Sequence, residues 1–390
     1  MANNNNKQYD IIIAGAGAAG LSLAYYLTSD ARGKQLRIAL LDKEAKTEND
    51  RTWGYWSKVE HPFNFLAKHT YKQAEFYSQA YSANINLTPY TYYVIQAAEF
   101  YAYVKKHLAK CTNVSWIETE VQKFEDTGEG VEVITPGQVY SAKYVFSSLF
   151  LKQQLTQAKK SHLVLNQHFK GWVIETPNHS FDTSTFRMFD FRTPQKGLFR
   201  FFYILPYAPN RALVEYTLFS QYLLQPKEYD DALVSYIYNV LNISNYRVVE
   251  EEWGEIPMTT YAFPQQSGRT INIGSVGGAS KASTGYTFAR IQKQCQFLAR
   301  QVLLGQQIEP FKFGGSRFAH YDDILLNILH KKGDKGEDSF AALFRNNKVA
   351  DILAFLDEDT SFGQELKIMN GVPAFLFMRS ALNYFLGLPF

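Results

Sequence analysis

Six residues near the start, Gly15-Ala16-Gly17-Ala18-Ala19-Gly20, restrict this chain more than any other segment. They follow the short apolar run Tyr9–Ala14, the pattern of a buried parallel strand. They precede Leu21–Thr28, small and apolar throughout and helix-like. Leu36–Leu41 then reads as a second strand and ends at Asp42. In such a βαβ unit the first glycine permits the tight turn. The second lets a pyrophosphate approach the backbone, and the third lets helix pack on strand. The helix N-terminus offers free N–H groups and the positive end of its dipole to the phosphates. Asp42 lies 22 residues past Gly20, where an acid accepts from ribose hydroxyls. An acid there favours NAD or FAD over NADP.

The later sequence leans toward a flavin. The β-rich chain at 160–260, with strand-like runs Phe199–Leu205 and Ala212–Ser220, interrupts the α/β unit before Thr270–Ser275 returns as a buried strand. Many flavoproteins end such a late strand in Gly-Asp. Here it ends in Gly274-Ser275, followed by Gly277-Gly278, whose backbone N–H groups are left to face a flavin. Ala97–Lys110 reads as an amphipathic helix, Val114–Val121, Gly130–Thr135 and Gln138–Phe146 as strands, and Ala289–Leu304 as a helix. Residues 61–96 are Tyr-rich without a clear period, and the chain beyond 311 reads as mostly helical.

Two local features carry chemistry. Glu215 sits in Ala-Leu-Val-Glu-Tyr-Thr, among apolar neighbours. It reads either as a carboxyl with a raised pKa, fit to be a general acid, or as the solvent-facing residue of an ordinary strand. Arg51–Trp56 packs Trp53, Tyr55 and Trp56 into six residues. With Trp253, Tyr286 and Phe288 these read as a cage for a cation or polyene, or as core. Aromatics make up 16% of the chain, more than a core requires and suited to a large apolar ligand.

The remaining composition excludes other classes. Forty Lys and Arg against 37 Asp and Glu leave +3, with no basic footprint for nucleic acid. Two cysteines, Cys111 and Cys295, make neither a disulfide framework nor a Cys-rich metal site, and no metal is expected. A reducing, cytoplasmic setting fits. Met1–Asp10 has no apolar signal core, and the apolar C-terminal stretch is broken by Arg379, Ser380 and Asn383, so no spanning helix is expected. Val372–Phe390, apolar and aromatic, suits either a membrane interface or a terminal helix over the core.

The motifs, taken in order, resemble the flavin-dependent lycopene β-cyclase family. They are GAGAAG with Asp42, DRTWGYW at 50–56, FDFRTPQKGLFRFFYILP at 189–206 and ALVEYT at 212–217. EWGEIPMTT at 252–260, IGSVGGASKASTGYTFARIQ at 273–292 and SRFAHYDDILL at 316–326 follow. The resemblance implies an α/β fold: a Rossmann-type FAD-binding domain of the glutathione-reductase/hydroxylase-like kind, an inserted mainly-β substrate domain and a helical C-terminal region. The expected divisions are 1–60, 90–160 and 262–310 for FAD, 61–89 and 161–261 for substrate, and 311–390 for the helices. It implies bound FAD, reduced by NAD(P)H, and redox-neutral ring closure of lycopene through γ-carotene to β-carotene. Contact with a membrane surface and with other carotenoid-pathway enzymes follows. Glu215 matches the family's essential acid. A second acid must come from Glu252, Glu255 or Asp190. The flavin positions implied are Gly15, Gly17, Ala18, Ala19, Gly20, Asp42, Lys43, Arg51, Gly274, Gly277, Gly278, Thr284, Gly285 and Tyr286. The substrate wall would draw on Trp53, Tyr55, Trp56, Tyr203, Tyr216 and Trp253. The rival readings are a flavin monooxygenase or prenyl-chain reductase on the same fold, and a non-catalytic flavin or carotenoid carrier.

Overall fold

The computed structural model describes residues 7–149 and 152–372, apart from the side chains of 152–154. The stretch 373–390, and with it nearly all of the expected interfacial segment, lies outside the described residues.

The N-terminal unit forms as its pattern dictates. Strand β1 (Lys7–Ala14) leads through the glycine turn into helix α1 (Ala18–Ser29), and β2 (Ile38–Asp42) returns parallel to β1. A small antiparallel sheet follows from β3 (Thr52–Ser57), β4 (His69–Tyr71) and β7 (Thr91–Gln96). Between β4 and β7 run β5 (Gln73–Tyr77) and β6 (Ser82–Asn86), which join a different sheet. The period at 61–96 is hidden because these strands are short and tyrosines serve both faces. Helix α2 (Ala97–Leu108) buries Phe100, Tyr101, Val104 and Leu108. Strands β8 (Val114–Glu118), β9 (Lys123–Asp126), β10 (Val131–Thr135) and β11 (Gln138–Ser147) follow. Thr135 pairs with Gln138, so Pro136-Gly137 is the two-residue hairpin turn, with Gly137 at φ +81°.

Helix α3 (Lys152–Ser161) leads into long strands: β12 (Leu165–Glu175), β13 (Thr185–Asp190), β14 (Phe199–Ala208) and β15 (Arg211–Ser220). Helix α4 (Pro226–Asn239) starts with Pro226 and a capping box of Gln225 and Glu228. Strand β16 (Arg247–Met258) is followed by the short β17 (Gln266–Ser267) and β18 (Thr270–Asn272). The last strand is shorter than its apolar run, because Gly274 at φ +67° turns the chain into a single 3₁₀ turn. Five helices complete the described chain: α5 (Phe288–Leu303), α6 (Ser316–Lys331), α7 (Gly336–Asn346), α8 (Val349–Leu356) and α9 (Phe362–Met369).

Two large sheets result. In one, β18-β11-β1-β2-β8 run parallel, with β9, β10 and β17 added antiparallel. Helices α1, α2 and α5 cover one face, burying Leu21, Leu27, Phe100, Ile291 and Leu298 against Ile11, Ile13 and Leu40. In the other, the order is β16-β12-β15-β14-β13-β5-β6. Along β15 the side chains alternate. Val214, Tyr216 and Leu218 pack beneath α4, while Leu213 and Phe219 belong to the opposite core with Phe199, Phe201 and Val173. Glu215 therefore projects away from α4, toward the glycine turn of the parallel sheet.

Candidate active site

A cavity of about 460 Å³ lies between the two sheets. Gly17, Ala18 and Ala19 line one wall, and Gly274, Ser275, Thr284, Gly285 and Tyr286 another. Arg51, Thr52 and Trp53 close a side, and Glu215, Glu252 and Tyr203 stand on the seven-stranded sheet.

The glycine turn divides its work as the motif requires. Gly15 holds φ +97°, which a side chain resists. A Cβ on Gly20 would lie 1.9 Å from the Gly15 carbonyl oxygen, so α1 packs only because none is there. A Cβ on Gly17 would meet nothing within 4 Å, leaving open space over the N-terminus of α1. Asp42 does not line the cavity. Its Oδ2 accepts from the Ala16 N–H at 2.5 Å and its Oδ1 from the Glu44 N–H at 2.9 Å, which holds the turn against β2. Lys43 is exposed, beside Glu44, and also lies off the lining, as do Gly277 and Gly278. Gly278 opens instead on a neighbouring recess with Asp322 and Glu358.

The two carboxyls are set by strand register. Gly171 of β12 pairs with Glu215 of β15 on one side and with Glu252 of β16 on the other. Tyr203 of β14 pairs with Glu215 from beyond. Four residues on four adjacent strands thus stand abreast on the cavity face. Thr217, on the same face of β15, donates to Glu215 Oε1 at 2.7 Å. Thr52 of β3 donates to Glu252 Oε2 at 2.6 Å. Removal from water pushes the Glu215 carboxyl well above the ordinary range, and nearby Glu252 pushes it further. Glu252 is raised too, again by burial, with the Thr52 hydroxyl, the bond to Glu215 and the Arg51 charge pulling the other way. Burial and its neighbour thus both oppose ionisation of Glu215, whereas the burial of Glu252 is partly offset.

A hydroxyl cluster roofs this row. Tyr286 Oη lies 3.5 Å from Tyr203 Oη, and Tyr92 lines the same cavity. Burial raises all three phenols, so they are uncharged at neutral pH. Trp56 meets Tyr286 edge-on, with centroids 4.3 Å apart. Trp53 stacks on Phe288 at 5.1 Å and lines the cavity, whereas Tyr55 is core, bonded to Asn64.

Asp190 is not part of the site: it is fully buried, with Arg192 at 2.6 Å, Arg187 at 3.3 Å and the Tyr236 hydroxyl at 2.5 Å. Tyr216 faces α4 because it neighbours Glu215 on a strand, and it accepts from Arg200 at 3.0 Å. Trp253 points the same way as Tyr216, since both pair with Lys170, and it is 46% exposed. Glu255 does line the cavity, at its exposed margin.

The reading of the residues passed over Thr52, Thr217, Gly171, Tyr92 and Gln167. Only Gly171 carried a signal of its own, a glycine interrupting an apolar strand. Among the described residues no cluster of side chains is suited to a metal ion.

The parallel sheet, its glycine turn and the appended antiparallel sheet define a class, the fold of FAD-dependent oxidoreductases and halogenases. A flavin-dependent brominase superposes with a TM-score of 0.63 at 13% identity, covering 97% of this chain and 99% of the other. A geranylgeranyl bacteriochlorophyll reductase-like protein of Thermoplasma acidophilum gives 0.61 at 12% identity, with 96% and 99% covered. At such identities the likeness is one of fold. The chain belongs to the lycopene cyclase family, whose description, Lycopene cyclase protein, matches residues 10–382. Chloroplastic neoxanthin synthases of Solanum tuberosum and Solanum lycopersicum are each 24% identical, over 330 and 318 residues. These matches take in 78% of this chain but 62% of each relative, less than two thirds of their length.

Proposed function

We propose that the protein is a lycopene β-cyclase, closing the open ends of lycopene to β-ionone rings by acid catalysis. The observation that carries this reading is the placement of Glu215. It is a carboxyl whose ionisation burial and Glu252 oppose, in an aromatic-walled cavity shared with the glycine turn, in a chain of the lycopene cyclase family. Its carboxyl gives a proton to C2 of the terminal C1=C2 bond, leaving a tertiary cation at C1. The π pair of C5=C6 forms the C1–C6 bond and the charge moves to C5. Loss of the C6 proton to a cavity carboxylate gives the ring double bond, and the proton balance closes. The neutral tyrosine cluster and Trp53 offer π faces and hydroxyl oxygens to the cation while keeping water from quenching it.

The residues fit FAD. The space over Gly17 is open to a pyrophosphate. Gln167 Oε1 and Thr284 Oγ1 are buried acceptors without protein partners, and both residues line the cavity. Reduced FAD bound there would supply negative charge beside the developing cation without giving up electrons, with NAD(P)H as its reductant. Arg51, an exposed residue of the cavity lining, would meet the cofactor's anionic part.

Expression in lycopene-accumulating cells with chromatography of the pigments tests the product: γ- and β-carotene are expected. Purified protein reduced once, anaerobically, and given excess lycopene should form many rings per flavin. One ring per flavin, or NAD(P)H consumed in step with substrate, would return the chain to a monooxygenase or reductase reading. Lycopene left unchanged would make it a carrier.

The substrate resides in a bilayer, so the protein works at a membrane surface. Among the described residues no helix is long and apolar enough to cross one. Alkaline or high-salt washing is therefore expected to release part of the protein from membranes, and release by detergent alone would contradict a peripheral attachment.

A further inference from the structure

This inference rests on the reading of Glu215 as proton donor and concerns what keeps its proton in place. Adjacent strands lie about 4.8 Å apart, so residues two strands apart stand about 10 Å apart at the backbone. Glu215 and Glu252 are so placed, yet both line one cavity and each bears on the other's ionisation. The residue between them decides this. A Cβ on Gly171 would lie 2.8 Å from Leu213 Cδ1, 3.1 Å from Glu252 Cγ and 3.6 Å from Glu215 Cβ. The Glu252 stem leans into space that a side chain on Gly171 would occupy, and the Glu215 stem stands at van der Waals distance from that space. The Thr217 and Thr52 hydroxyls hold one oxygen of each carboxyl from outside. The other oxygen of each remains for its neighbour.

We propose that Glu215 and Glu252 hold a single proton between them over the gap at Gly171. The acid of this site is then a pair of net charge −1, with Glu252 and Gly171 as its positioning residues. Two carboxylates in contact away from water cannot both ionise, and their protons belong to the pair. The groups facing the pair leave that balance intact. Tyr203 and Tyr207 from β14, Tyr92 from β7 and Tyr286 from the loop before α5 are all neutral phenols, raised by burial. Among the charges, Arg51 draws the negative charge toward Glu252 and Glu250, farther along β16, opposes ionisation of Glu252, while Lys46, Asp50 and Glu255 line the same cavity. The proton thus rests on Glu215. Once it is given to the alkene, two negative charges face the cation instead of one.

The test reads the proton directly, without substrate. In infrared titration of the purified full chain, the protonated-carboxyl band is isolated as the difference between wild type and Glu215→Gln. Wild type is expected to keep that band at pH 7. Glu252→Gln removes the like charge that disfavours ionisation of Glu215, so the midpoint should move down by about one pH unit or more. Gly171→Ala should move it the same way by wedging the stems apart. If Glu252→Gln does not fold, Glu252→Asp withdraws the charge by one methylene and should give a smaller downward shift. No Glu215-dependent band at pH 7, or an unmoved midpoint in both the Glu252 and Gly171 variants, overturns the shared proton. The band does not depend on turnover. A protein that leaves lycopene unchanged but shows these shifts refutes the cyclase reading alone, and a cyclase without them refutes the pair alone.

Discussion

Glu215→Gln is expected to keep its fold and its flavin and to leave lycopene uncyclised, with ring formation down about 10²–10⁴-fold, the usual contribution of general acid catalysis. Glutamine matches the size of glutamate, and its carbonyl can still accept from Thr217, but it has no carboxyl proton to give. Pigment chromatography with flavin quantitation checks both halves. Near wild-type β-carotene would move the acid to Glu252 or Glu255, the other carboxyls of the cavity lining beside Asp50. Loss of flavin would make Glu215 a structural residue. Glu215→Asp should retain activity only to the extent that the shortened side chain still reaches C2. The pH dependence has a definite sign. The folded-state pKa is raised, so the acid form persists through pH values at which a free glutamate, with a pKa of about 4.3, is ionised. Activity is present below the raised value and is lost as pH climbs through it.

Gly17→Val is expected to give folded protein without yellow flavin absorbance. The Gly17 backbone, at φ −77° and ψ −164°, suits a β-branched residue, and its Cβ would meet no protein atom within 4 Å. The isopropyl group therefore fills only the space above the N-terminus of α1, where the pyrophosphate would lie. Gly20→Val is the contrasting control. Its Cβ would collide with the Gly15 carbonyl, so that variant should fail as a protein rather than as a binder. Stoichiometric FAD in purified Gly17→Val would place the cofactor elsewhere.

The elements that could be read directly are those whose signal is local. The βαβ unit followed from an apolar run, three glycines and an acid, and β1, α1 and β2 form within a few residues of the expected positions. The Pro136-Gly137 hairpin and α5 were legible for the same reason: turn chemistry and helical period belong to contiguous residues. The late strand ends at Asn272, short of its expected end at Ser275, because the backbone turns at Gly274.

The active site divides along the same line. Glu215, the glycine turn and Trp53 could be named from their immediate neighbours in the chain. Alternation along β15 and β16 already separates Glu215 from Tyr216, and Glu252 from Trp253, but which member of each pair faces the cavity is settled by where α4 packs. Asp190 carries the right chemistry and is consumed by two arginines and a tyrosine, one of them 46 residues away in sequence. The juxtaposition of Glu215 with Glu252 has no local trace. It arises from the register of three strands, with Gly171 between them and Thr52, 200 residues from Glu252, reaching in from another sheet. A sequence determines what each residue can do and the period on which it repeats. Which carboxyls share one cavity depends on strand order and register, and those are set by the burial of whole faces at once.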